Sequence, residues 1–321
     1  MRQTEITAPV QTKAANRRRK PLVDFAVRLV KEKPLGTFGA IIILILIFTG
    51  IFANVLAPYD YKDFQMKDSL QPPSAAHLLG TDNLGRDLLS RIIFGARISM
   101  IAGLGGAAIS VTISTLIGGF SGFLGGKVDV AVQRFVDAWM CFPALILIMT
   151  VMAILRPGLA QVVLVLGISG GVGGSRIVRG TVIGIKQNVY VEAARATGCP
   201  TRQILSRHIL PNIMAPIIIM FSVGVGSMIL SEATLSFLGF GLPPTIPSWG
   251  GMLSGEGRRY MYMAPWLAIW PGAALALVVY GVNMFGDALR DLLDPRLRGG
   301  LGRYGVKSKR PARELSKKQT V

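Results

Sequence analysis

The sequence predicts an all-α integral membrane protein of six transmembrane helices with both termini in the cytoplasm. Three observations carry this. Long apolar runs recur along the chain, their centres hold no Asp, Glu, Lys, Arg or His, and the cations gather in alternate connecting segments. The apolar share of 51% is near that of soluble proteins, so clustering rather than share decides the class.

The spans follow in order. Ile41 to Ala57 carries no charge and its run reaches back to Pro34, which sets the first span at 34–57. Later runs set spans at 98–123, 135–155, 157–175, 212–235 and 265–288. About 20 apolar residues cross ~30 Å of hydrocarbon, a length the 157–175 run only just reaches. The first run is too long for a signal-peptide core and follows a long polar tail, so it reads as a retained span.

Orientation comes from Lys and Arg. With both ends inside, 27 of the 35 cations lie in the tail 1–33, the loops 124–134 and 176–211, and the tail 289–321. Eight lie outside, in 58–97, at Arg156 and in 236–264. This placement explains the net charge of +18 and points to anionic lipid headgroups of the bilayer rather than to nucleic acid. Arg17, Arg18, Arg19 and Lys20 centre a first tail read as partly disordered. Cys141 and Cys199, the two cysteines, have neither disulfide nor metal-ligand spacing.

Two polar stretches stand out. The outer segment 58–97 ends in Gly80, Thr81, Asp82, Asn83, Leu84, Gly85, Arg86, Asp87, Leu88, Leu89, Ser90 and Arg91. Asp82 or Asn83 is a candidate N-cap for a helix from near Leu84, and Asp87 and Arg91 have the spacing of an i,i+4 ion pair. Two readings stand: an interfacial helix leading into the second span, or an outer gate or docking surface. Span four carries small residues four apart, Gly167 with Gly171 and Gly170 with Gly174. That spacing suits close packing, lining of a path, or both. The Gly- and Pro-rich outer loop 236–264 carries aromatics fit for an interfacial belt.

The second stretch, 176–211, is cationic. Val189 to Thr197 lacks Gly and Pro and suits a short helix, with Glu192 near its positive end. Gly198 is placed to supply a left-handed C-terminal cap, and Thr201 to Ile209 reads as a second helix ended by Pro211. Ala193, Ala194 and Ala196 give a thin helix surface. From physics alone a helix–turn–helix paddle and an amphipathic loop lying on the membrane are equally good readings.

Absences narrow the mechanism. The nearest phosphate-loop match, at Gly126 and Lys127, fails because positions 121 and 128 are Ser and Val. Gly103, Gly105 and Ala108 imitate a dinucleotide fingerprint inside a span with no preceding strand. Span centres without ionisable groups argue against an ion-coupled transporter, the alternative from another class. Glu232 and Asp287, near span ends, read as interfacial carboxylates with water access. Energy must then come from a partner.

The pattern Glu192, Ala193, Ala194, then Gly198, Leu210 and Pro211, with Tyr190 before it, resembles the "EAA" loop of ABC importer permeases. His208 stands where the general signature has an aliphatic residue. With Arg207, Ile209, Leu210, Pro211 and Asn212 it resembles the peptide and nickel subfamily, closest to the second, C-type, dipeptide permease. The Gly80–Arg91 block, Leu235 to Gly239 with Pro247 to Gly250, and Phe285 to Arg296 resemble further blocks of that subfamily. The resemblance implies a type I importer permease fold over about 96–295 and a subunit that is not an enzyme and sits in the bacterial inner membrane. It implies a second homologous permease, two cytoplasmic ATPases holding ATP and Mg, and an external binding protein. This chain would hold no cofactor or metal itself. It would pass peptides, or alternatively nickel, glutathione or opine-like solutes. Tyr190, Glu192, Ala193, Ala194, Gly198, His208, Leu210 and Pro211 would couple to the ATPase. Gly80, Thr81, Asp82, Gly85, Arg86, Asp87, Ser90 and Arg91 would form the outer-face motif.

Overall fold

The computed structural model describes residues 21–293; the cationic clusters before and after, which hold most of both expected tails, lie outside them. Helix α1 (Pro21–Glu32) occupies the end of the first tail. It is separated from α2 (Pro34–Ile51) at Lys33, which Pro34 forces out of helical geometry to φ −136°.

Helix α3 (Leu88–Leu124) has 37 residues. At 1.5 Å per residue it runs ~55 Å, well beyond a bilayer core. It does not start near Leu84 as the sequence suggested. Asp82 is spent closing a turn, accepting the N–H groups of Leu84 and Arg86, and Gly85 sits at φ +76°. Asp87 caps the helix instead, accepting the Ser90 N–H at 2.8 Å. Two left-handed glycines, Gly125 (φ +68°) and Gly126 (φ +58°), then turn the chain into α4 (Gly126–Met140).

The stretch read as one span at 135–155 is instead the end of α4 followed by α5 (Ala144–Ile154), bent from it by 83°. Pro143 lacks an N–H and disfavours helix in the residue before it, so an apolar run continuous in sequence breaks there. Next come α6 (Leu159–Lys186), the short α7 (Val189–Ala196), α8 (Thr201–Phe237) and α9 (Trp266–Leu293). Helices α2, α3, α6, α8 and α9 are long and apolar enough to cross a membrane, and α4 with α5 makes a sixth if the bent pair is one span.

Small residues set the packing. The most extensive helix pair is α3 with α6. There the Gly118 position faces the Ser175 carbonyl, Gly167 and Gly171 face Ile109 and Ile113, and the Ser114 hydroxyl donates to the Gly171 carbonyl at 2.9 Å. A methyl group at Gly171 would lie 2.6 Å from Ile113 Cβ, so the helices approach too closely for any side chain. On the same helix Gly170 and Gly174 accommodate Met228 and Met220 of α8. Helix α9 packs on α2 through Gly39 and Gly281, and Lys33 pairs with Asp291 at 2.5 Å where these helices end.

Besides a small cluster of Leu29 with Ala288 and Leu292, two larger buried clusters form among the described residues. The larger joins α2, α3, α5, α6, α8 and α9. The smaller lies at the other end of α3, where Phe123 meets Val178, Val182, Val191, Ala194, Ile204, Ile209 and Ile213.

Candidate functional site

The smaller cluster anchors the paddle. Val191 and Ala194, three apart on α7, are buried in it, while Glu192, Ala193 and Ala196 are exposed. Of the three alanines expected on a thin outer surface, Ala194 thus faces inward. The helix ends as its sequence dictates. Gly198 has φ +78°, its N–H donates to the Arg195 carbonyl at 2.9 Å, and the Cys199 N–H donates to the Ala194 carbonyl at 3.1 Å. These are the paired bonds of a Schellman cap. Glu192 lies in the first turn and Arg195 in the last, each favoured by the helix dipole.

The second stretch departs from expectation. Pro211 does not end a helix: α8 runs unbroken from Thr201 to Phe237. Its turn Leu205–Ile209 is widened to π geometry, and the Asn212 side-chain amide donates to the His208 carbonyl at 2.6 Å. A widened turn removes the demand for the N–H that Pro211 lacks, and the amide serves a carbonyl beside it. His208, within that turn, lies near α7, its ring centre 6.2 Å from that of Tyr190. Leu210 and Pro211 are exposed. The paddle therefore presents Tyr190, Glu192, Ala193, Gly198, Leu210 and Pro211 outward on a base held by buried aliphatics.

Cations lock this base to α3. Lys186 Nζ donates to the Phe123 carbonyl at 2.6 Å, and the Phe123 ring faces Lys186 and Arg195, each 5.7 Å from its centre. Beside it Arg179 makes two hydrogen bonds to Asp129 of α4, at 2.6 and 2.5 Å, and Arg176 pairs with Asp137.

At the opposite end of α3 the outer-face motif is a buried polar knot. Thr81, Asp82, Arg86, Asp87, Ser90 and Arg91 are all buried, so these side chains offer no docking surface. Gly80 (φ +83°) and Gly85 stand in the left-handed region, and a Cβ at Gly85 would collide with the Gln65 carbonyl. Thr81 bridges to Asp87, its carbonyl accepts from Trp266 Nε1 at 3.2 Å, and its hydroxyl accepts the Gln71 N–H at 2.9 Å.

Asp87 does not pair with Arg91. Its Oδ2 accepts the Ser90 N–H and hydroxyl, and its Oδ1 meets His77 at 3.0 Å. Arg91 turns instead to Asp82 at 3.6 Å and Glu256 at 3.9 Å, while Arg86 bonds Asp82 through Nε at 2.6 Å and pairs with Glu256. Two guanidinium groups thus face two carboxylates. Burial pushes the Glu256 carboxyl up from the ordinary glutamate range, and Arg91 and Arg86 pull it back.

Glu256 was not singled out from sequence, since nothing local ties an outer-loop carboxylate to arginines far upstream. Glu232 is fully buried rather than interfacial and accepts the Ser236 hydroxyl at 2.8 Å. Alongside, Trp249 packs on Gly95 and donates to the Ile92 carbonyl at 3.1 Å.

A helical membrane protein with a buried polar knot at one end of its bundle and a projecting paddle at the other is the class these features define. The family model described as a binding-protein-dependent transport system inner membrane component matches residues 114–299. A second, for the N-terminal transmembrane domain of oligopeptide transport permease C, matches residues 21–73. The chain belongs to this family of ABC importer permeases, which are inner-membrane transport subunits and not enzymes.

It is 38% identical over 273 residues to the dipeptide transport system permease protein of Alkalihalophilus pseudofirmus, covering 85% of this chain and 90% of that one. Identity is 37% over 268 residues to the oligopeptide transport system permease protein of Bacillus subtilis, covering 84% and 88%. To the glutathione transport system permease protein of Pectobacterium atrosepticum it is 39% over 281 residues, covering 87% and 93%.

Proposed function

We propose that this chain is one of two homologous membrane-spanning subunits of an ATP-driven importer of short peptides, driven through the 190–212 paddle by cytoplasmic ATPases. The observation that carries the reading is the paddle itself. A short helix capped at Gly198 projects Tyr190, Glu192 and Ala193, while Val191 and Ala194 tie it to the inner ends of α3 and α6. A partner gripping the exposed face moves those helices with it, because a packed core transmits displacement rather than absorbing it.

In this reading ATP and Mg reside on the ATPases, and an external binding protein delivers the solute. Both ends of the chain lie in the cytoplasm, following the distribution of Lys and Arg. Peptides are the preferred cargo because relatives named for dipeptide and oligopeptide transport match most of the chain. The relative named for glutathione matches at a similar level, which supports glutathione, itself a modified tripeptide, as the second reading.

The test is uptake by cells lacking the gene against complemented cells, with labelled peptides of two to six residues, glutathione and nickel. Loss of a peptide class, restored by the intact gene, supports the proposal. Loss of glutathione alone selects the second reading, and loss of nickel alone refutes both.

A further inference from the structure

At the end of the bundle opposite the paddle, a cavity of about 570 Å³ opens between the end of α2, the start of α3 and the 236–264 loop. Asn54, Asp60, Tyr61, Phe94, Arg97 and Ile98 are among the residues that line it. Arg97 distinguishes it. Its Nε donates to the Gly50 carbonyl at 2.8 Å, Nη1 to Asn54 Oδ1 at 3.0 Å and Nη2 to the Ile51 carbonyl at 3.3 Å. All three acceptors are neutral. Arg86, Arg91, Arg176 and Arg179 each face a carboxylate, whereas Arg97 has none within 4.0 Å among the described residues. It is a half-buried cation held in place by helix-end carbonyls, with guanidinium N–H groups left over.

The level of the cavity matters. Helix α2 ends at Ile51, a few residues before its charge-free run closes at Ala57, and the apolar run of α3 begins at Ile98, so Arg97 sits close to where hydrocarbon gives way to headgroups. Exposed Phe48, Phe52 and Val55 lead along the same segment towards the cavity. The Tyr61 ring lies 4.7 Å from that of Phe94 and carries Lys62 over its face at 5.5 Å.

We propose that this cavity holds the headgroup of a phospholipid bearing both a phosphate and a primary ammonium. Arg97, with Lys62 at the rim, takes the phosphate. Asp60, exposed in the lining, takes the ammonium, and the acyl chains follow the Phe48–Phe52–Val55 strip. A lipid with phosphate alone leaves Asp60 opposing it, and a trimethylated ammonium cannot donate hydrogen bonds to that carboxylate.

The test uses the whole transporter in nanodiscs of equal phosphoethanolamine, phosphocholine and phosphoglycerol lipids, with retained lipid read by native mass spectrometry. The expected result is selective retention of the phosphoethanolamine lipid, lowered roughly tenfold or more by Arg97→Gln. Arg97→Lys keeps the charge and should keep part of the binding, which guards against misfolding of the Gln variant. Asp60→Asn, at an exposed position, should keep a bound lipid but lose the headgroup preference. Equal retention of the three lipids, or retention unaffected by Arg97→Gln, overturns the proposal. Displacement of the lipid by added inorganic phosphate or by a dipeptide also overturns it, reassigning the cavity to a soluble anion or to the cargo.

Discussion

The Arg195 guanidinium of the short paddle helix lies 5.7 Å from the centre of the Phe123 ring, two residues before the paired left-handed glycines that end α3. One aromatic side chain thus joins the paddle, the end of α3 and, through Lys186, the end of α6. Replacing Phe123 with Ala removes a buried anchor at a cost of about 3–5 kcal/mol. The expected outcome is a complex that still inserts but hydrolyses ATP without proportionate uptake. Measuring uptake per ATP hydrolysed checks this, and Phe123→Tyr, which keeps the ring, should restore most of it.

Gly198 stands at φ +78° with open space around its missing Cβ. Gly198→Val therefore fails through backbone strain rather than collision, costing about 1–2 kcal/mol at the cap. Insertion and abundance should be normal while transport collapses. Gly198→Asn, which tolerates the left-handed region, should transport far better than the Val variant.

Arg91 and Glu256 hold the 236–264 loop to α3 from within the knot. Removing either alone leaves uncompensated charge in a buried site and costs about 3–5 kcal/mol. Arg91→Leu and Glu256→Leu singly should each sharply lower thermal stability in detergent. The double variant, with neither charge left, should lose clearly less than the sum of the two. Additive losses would mean that the two groups do not interact.

Trp249 fills the space over Gly95, where a Cβ would come within 2.7 Å of the indole ring. Trp249→Ala should lower stability by about 3–5 kcal/mol. Gly95→Leu should be as damaging for the opposite reason, too much volume. Protease sensitivity of the 236–264 loop reads both.

Local features were legible in the sequence. The cap at Gly198 was, because its bonds span only Ala194 to Cys199. So were the small-residue faces of span four, whose spacing alone puts Gly167 and Gly171 against one neighbour. What escaped depends on distant or competing groups. Asp87 has the spacing to pair with Arg91, but its oxygens are taken by Ser90 and His77, and Arg91 finds Glu256 across the fold. Pro211 looked like a helix stop because a widened turn before it leaves no local signature. The break at Pro143 is hidden by the apolar run that continues through it from 135 to 155.

The most direct test of the coupling role uses membrane vesicles carrying the whole transporter, with wild-type or Glu192→Arg subunit at matched abundance. Glu192 is exposed in the first turn of α7, so the substitution leaves the core intact while placing a cation at the helix's positive end and on its outward face. Coupling through the paddle predicts normal insertion and near-complete loss of ATP-driven uptake of a labelled peptide that the wild type carries. Unchanged uptake at normal abundance would contradict it.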